Sequence, residues 1–126
     1  MISLNALALI FTVHWIADFI MQDEQWALNK SKDNTVLLKH TITYSATWIL
    51  PVLLYTRSIV GTLLFVIVTF VIHTTQDYLT SRATSAKFAK KETGSAIPNL
   101  GAFTYIGYDQ LLHYLQLVIF WYLIFT

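Results

Sequence analysis

The sequence predicts an all-α fold, a four-helix transmembrane bundle with antiparallel neighbours, in one domain covering residues 1–126. Three observations predict it. Hydrophobic residues make up 56% and charged residues 12%, whereas a soluble domain carries about 25% charged residues. Four apolar segments, each near the ~20 residues that cross a bilayer as a helix, are separated by polar or turn-forming stretches. Three of those segments hold a histidine and an aspartate four residues apart: His14 and Asp18, His73 and Asp77, Asp109 and His113. That spacing puts both members of a pair on one helix face, a turn apart.

The first segment, about 2–22, carries His14, Asp18 and Gln22 on one stripe. It lacks a basic n-region and a clean small-residue cleavage site, so it reads as a retained membrane helix. Asp23 to Asp33 is polar with one tryptophan and suits a short interfacial turn or helix. Asn34 or Thr35 is the expected cap of the second helix. That helix runs to about Tyr55, with Lys39 and His40 near its start and a kink expected at Pro51. Thr56-Arg57-Ser58 is too short for anything but an antiparallel connection. The third segment, about 58–80, is the most hydrophobic and ends in the His73 motif. Ser81 to Leu100 reads as a basic polar loop closed by Gly94 and Pro98. The fourth segment, about 102–125, holds Asp109, Gln110, His113 and Gln116 ahead of an apolar tail. Trp48, Trp121 and Tyr122 fit an aromatic belt, but plain packing against lipid and neighbours is the favoured reading.

Lys30, Lys32, Lys39, Arg82, Lys87, Lys90 and Lys91 fall on one side of such a bundle and Arg57 on the other. This bias places loops one and three in the cytoplasm and both termini outside. The partner is the lipid bilayer. The 82–91 stretch can also attract anionic lipid head groups, at about 1 kcal/mol per basic residue, or serve simply as a topological anchor. A net charge of +1 without a basic face interleaved with stacking aromatics argues against nucleic acid. The absence of cysteine excludes disulfides, thiolate metal sites and cysteine nucleophiles. Nothing in the sequence specifies an oligomeric state.

At about 1.5 Å per residue, His14 lies roughly 12 Å inside the end of its helix, His40 roughly 9 Å and His73 roughly 10 Å, with Asp109 about as deep. Antiparallel packing brings all four to the cytoplasmic end. An aspartate deep in a bilayer costs about 2.5–3.5 kcal/mol, and Asp18, Asp77 and Asp109 have only Lys39 as a basic neighbour in these segments, a residue that can snorkel outward. The missing cation is a divalent metal or a set of protonated histidines. His14, Asp18, His40, His73, Asp77, Asp109 and His113 are the expected ligands, enough for two metals, with zinc foremost and iron or manganese as alternatives. Some of the aspartates can instead orient a ligand's second nitrogen. Gln22, Tyr44, Gln76, Gln110 and Lys39 are expected around them, orienting substrate or joining helices. The plainer alternative is that the pairs only glue helices together, but such bonds contribute about 0.6 kcal/mol each, a small return for burying seven ionisable groups.

The set His14-x-x-x-Asp18-Phe19-x-x-Gln22, Ala27, Lys30, His40, His73-x-x-x-Asp77-Tyr78 and Asp109-Gln110-x-x-His113 resembles a family of small integral membrane proteins of bacteria and their phages, a domain of unknown function. The resemblance spans nearly the whole chain. Thr75-Gln76 departs from the apolar residues expected before Asp77. The resemblance implies a membrane protein with a polar intramembrane site and supplies no reaction; the bacterial inner membrane is the expected location.

The ligand types and their depth point to metal-dependent hydrolysis of a membrane-soluble ester or phosphoester. A bound metal would bring the pKa of its water toward ~7, and Asp18, Asp77 and Asp109 are the candidate catalytic carboxylates. Proton or metal-ion transport is the first rival. It needs polar residues reaching the far side, and between Ile59 and Phe70 the third helix offers only Gly61, Thr62 and Thr69. A non-enzymatic phage-type membrane protein is the second rival, and it has no need of three His–Asp pairs.

Overall fold

Local chemistry sets where each helix starts and stops in the computed structural model, which describes residues 1–126 and contains helices only. Helix α1, Leu4–Trp15, is capped by the Ser3 side chain, which accepts from the Ala6 N–H. It widens without a break into a π-helical turn, Ile16–Ile20. Helix α2, Glu24–Asn29, begins at Asp23. Helix α3, Asn34–Thr47, begins at Asp33, whose carboxylate accepts from the Thr35 N–H; the cap is therefore the aspartate rather than Asn34 or Thr35. Trp48 separates α3 from α4, Ile49–Thr56. Pro51 explains the break, because its ring cannot donate to, and crowds, the carbonyl four residues earlier at Thr47. Arg57, in the left-handed conformation with φ 56°, closes α4, and Ser58 caps α5.

Helix α5 runs Ile59–Ala89, nine residues beyond the boundary expected from composition. Ser81 to Ala89 is polar but contains neither glycine nor proline, so nothing interrupts the backbone ladder. Arg82 and Lys87 therefore stand on a helix instead of a loop. The true stop comes with Lys91 and Gly94 at positive φ. Helix α6 is Ala102–Phe125.

The result is four rods: α1 with its π turn, α3 continued by α4, α5, and α6. At one end the Ser3 hydroxyl meets the Tyr55 hydroxyl at 3.0 Å, and Gly61 lies so close beneath Phe125 that a Cβ there would sit 2.5 Å from its ring. The start of α1, end of α4, start of α5 and end of α6 thus share that end, as antiparallel neighbours must. At the other end the connection after α2 is tied to α5 by Ser31 to Ser85 at 2.8 Å, and the start of α3 is tied to it by Asn34 to Arg82 at 2.7 Å.

The core has two zones. Toward the termini it is apolar: Ile10, Trp48, Val52, Phe65, Leu117 and Trp121 are buried together, with Trp48 and Phe65 edge to face at 5.5 Å. Trp48 and Trp121 are core residues rather than belt residues; Tyr122 is the exposed one. Toward α2 the core turns polar, with His14, Asp18, His40, His73, Asp77 and His113 all buried. Helix α5 is long and apolar enough to cross a membrane, and Leu4–Ile20 is apolar but shorter. Pro51 divides the second apolar segment, and Asp109, Gln110, His113 and Gln116 dilute the sixth helix.

Candidate metal centre

The π turn decides how Asp18 is presented. The Met21 N–H bonds to the Ile16 carbonyl five residues back at 2.8 Å, and single π turns inside α-helices are frequent at functional sites. Asp18 Oδ2 stands 3.8 Å from His14 Nε2 one turn back, much as Asp77 Oδ2 stands 3.7 Å from His73 Nε2 on the regular helix α5. Each residue then finds partners on other helices.

Ligand atoms of His40, His73, Asp18 and Asp77, one from each residue, converge at the centre within 4.8 Å of one another. His40 Nε2 is 3.2 Å from Asp18 Oδ1, 3.1 Å from Asp77 Oδ2 and 3.3 Å from His73 Nε2. His73 Nε2 is 3.8 Å from the first oxygen and 3.7 Å from the second. Asp18 Oδ1 and His40 Nδ1 are buried without a hydrogen-bond partner. This His/Asp cluster can hold a metal ion. The His73 ring is fixed from behind by stacking flat on Tyr44, centroids 3.6 Å apart, and its Nδ1 lies 3.2 Å from Nδ1 of His113.

His14, expected as a ligand, has both ring nitrogens engaged. Nε2 lies 2.7 Å from Gln110 Oε1, and Nδ1 lies 2.8 Å from the Tyr44 hydroxyl. An amide oxygen only accepts, so Nε2 carries the proton and Nδ1 accepts from Tyr44. The same Gln110 amide donates to Asp18 Oδ2 at 3.0 Å and Asp109 Oδ2 at 3.1 Å. His14 thus aims Gln110, and Gln110 aims the carboxylates. Gln76 plays the matching part for His113. Its Nε2 donates to the Leu112 carbonyl, which turns its Oε1 toward His113 Nδ1 at 2.8 Å. His113 Nε2 then faces Asp77 Oδ1 and Asp109 Oδ1, each at 3.1 Å.

The structure brings together His14, Asp18, His40, Tyr44, His73, Gln76, Asp77, Asp109, Gln110 and His113. It does not bring in Lys39, which is exposed on α3: one residue along a helix is a 100° turn away from buried His40. The lysine that arrives is Lys30, from the connection after α2, with Nζ 2.8 Å from Asp77 Oδ2. Burial disfavours its charge, but the carboxylates of Asp77 and Asp18 outweigh burial and hold the ammonium above its usual range. The only sequence signal for Lys30 was its place in the motif set. Thr80 was also missed; its hydroxyl donates to Asp109 Oδ1, and its position seven residues after His73, on the same face of α5, was the available clue. With the four histidines neutral, three carboxylates facing one ammonium leave a surplus of two negative charges, which one divalent cation balances.

A cavity of about 620 Å³ opens beside the centre toward α2. Asp18, Asp77, Asp109, Lys30 and Gln22 line its polar side; Phe19, Leu28, Phe88 and Ile106 line an apolar side. The buried Oε1 of Gln22 has no hydrogen-bond partner in the protein.

A profile of the family described as protein of unknown function (DUF3307) matches residues 6–126. No curated protein and no solved structure matches.

Proposed function

We propose, for a chain that belongs to the DUF3307 family of unknown function, a four-span membrane protein that binds a divalent cation, zinc foremost, and hydrolyses a membrane-soluble ester or phosphoester. One observation carries the metal reading. A tetrahedral ion with ligands at 2.0–2.1 Å requires ligand atoms about 3.3 Å from one another, and five edges of the His40–His73–Asp18–Asp77 tetrahedron run 3.1–3.8 Å. Four acceptor-capable atoms at that spacing, two of them carboxylate oxygens, make a ligand set that a divalent cation would fill in place of imidazole N–H contacts.

The membrane reading is supported by inversion of the usual distribution. The buried side chains include His14, Asp18, His40, His73, Asp77 and His113, while Leu4, Leu50, Ile59, Val60, Leu63, Ile67 and Leu123 are more than half exposed. A monomer in water rarely shows so much contiguous apolar surface. The excess of basic residues at the α2 end supports a cytoplasmic site in a bacterial inner membrane, with both termini outside.

When bound, the cation supplies a polarised water and a Lewis acid. The chain supplies the rest. Asp109, side chain 15% exposed, is the most open of the three carboxylates. Its Oδ2 is placed to hold the attacking water and take its proton as the ester bond to the leaving oxygen breaks, and the proton then passes to that oxygen. Lys30 offers a positive charge to a phosphoryl group, and the apolar side of the cavity accepts a lipid chain. The geometry favours hydrolysis over transport because the buried layer of Trp48, Phe65, Leu117 and Trp121 closes the bundle below the polar zone.

Metal analysis of detergent-purified protein tests the reading. Stoichiometric zinc, iron or manganese is expected, lost in His73→Ala. Metal-free protein with the same thermal stability in chelator overturns it. Release of phosphate or fatty acid from bacterial lipid vesicles by the metal-loaded protein, absent in Asp109→Asn, tests the reaction.

A further inference from the structure

We infer that the centre holds two divalent cations rather than one, with Asp77 and Asp18 shared between them; this rests on the metal reading above and deepens it. The second position is defined by Asp18, Asp109 and His113, with Asp77 Oδ1 beside His113 Nε2. His113 Nε2 is 3.1 Å from the oxygens of both Asp77 and Asp109. Ligand atoms of Asp18, Asp109 and His113 lie within 4.8 Å of one another.

Asp77 is the decisive residue. Its Oδ2 faces His40 at 3.1 Å and its Oδ1 faces His113 at 3.1 Å. A carboxylate that turns one oxygen to each of two imidazoles is in bridging geometry, and bridged pairs of catalytic cations stand about 3.5–4 Å apart. His113 presents the right atom. The amide oxygen of Gln76 holds a proton on Nδ1, so a neutral ring would carry its lone pair on Nε2, aimed at two carboxylate oxygens. A divalent cation on Nε2 reconciles those three acceptors, as would a second ring proton, and the protonation of the ring distinguishes the two. Asp18, 4% exposed, belongs to both groups, and its Oδ1 has no hydrogen-bond partner. Asp109 keeps its Oδ2, held by Gln110, for the water. Two cations and Lys30 against three carboxylates turn the surplus of two negative charges into two positive ones, which suits an anionic phosphoester better than a neutral ester.

Manganese(II) is the probe, loaded into the full chain in detergent after chelation. Two ions per chain with an exchange-coupled electron paramagnetic resonance spectrum are expected, falling to one ion with an isolated-ion spectrum in Asp109→Asn and in His113→Gln. Circular dichroism checks the fold of both variants. One ion per chain in the unmodified protein, with the His113 ring doubly protonated by nuclear magnetic resonance, overturns the second site and leaves the first reading standing. No bound ion at all overturns the first reading instead.

Discussion

Replacing Lys30 by glutamine tests whether its ammonium and a bound cation compete for Asp77. The ammonium lies 2.8 Å from Asp77 Oδ2, with its side chain 15% exposed and that of Asp77 1% exposed. Removing one partner of a pair this buried costs about 3–5 kcal/mol, because a carboxylate is left without compensation. At roughly 2.1 cal/mol/K of unfolding entropy per residue, the lower figure lowers the Tm of this 126-residue chain by roughly 10 °C in chelator. With a divalent cation on Asp77 the carboxylate is compensated again, and the loss should shrink to about 1 kcal/mol. Linkage is reciprocal, so the ~2 kcal/mol recovered must appear as roughly 30-fold tighter cation binding by Lys30→Gln. Thermal unfolding in detergent with chelator and with saturating zinc, together with calorimetric titration, measures both sides of the cycle. An equal loss of stability in the two conditions, with an unchanged Kd, would refute the reasoning: Lys30 and the cation would then not share Asp77.

Three further outcomes are expected. Gln110→Leu removes the group that aims Asp18 and Asp109 and silences His14 Nε2; cation affinity should fall about 10–100-fold, as for other residues that orient ligands, and an unchanged Kd counts against that role. Lys39→Ala should change neither cation stoichiometry nor stability beyond about 0.5 kcal/mol, since the side chain is exposed outside the cluster; a lost ion would restore it to the site. Trp48→Ala should cost about 3–5 kcal/mol, measured as a lower unfolding midpoint, because the ring is fully buried against Phe65; a cost under 1 kcal/mol would place it in lipid.

The sequence by itself determined what depends on turn angle and rise. Apolar length and glycine and proline positions located all four rods, and the fourth helix was read at 102–125 where the structure has Ala102–Phe125. A fixed rise per residue put His14, His40, His73 and Asp109 in one layer, and they share one. The polar end of α5 escaped because composition alone cannot tell an exposed polar helix from a loop. What only the tertiary structure decided is which atom of each side chain is free. His14 looked equivalent to His73 at the same four-residue spacing from an aspartate, yet Tyr44, thirty positions away, and Gln110, ninety-six away, occupy both its nitrogens and leave His73 facing the centre. Lys30 entered and Lys39 stayed out for the same reason: a connecting segment's reach is set by how the helices pack, and no local periodicity records it.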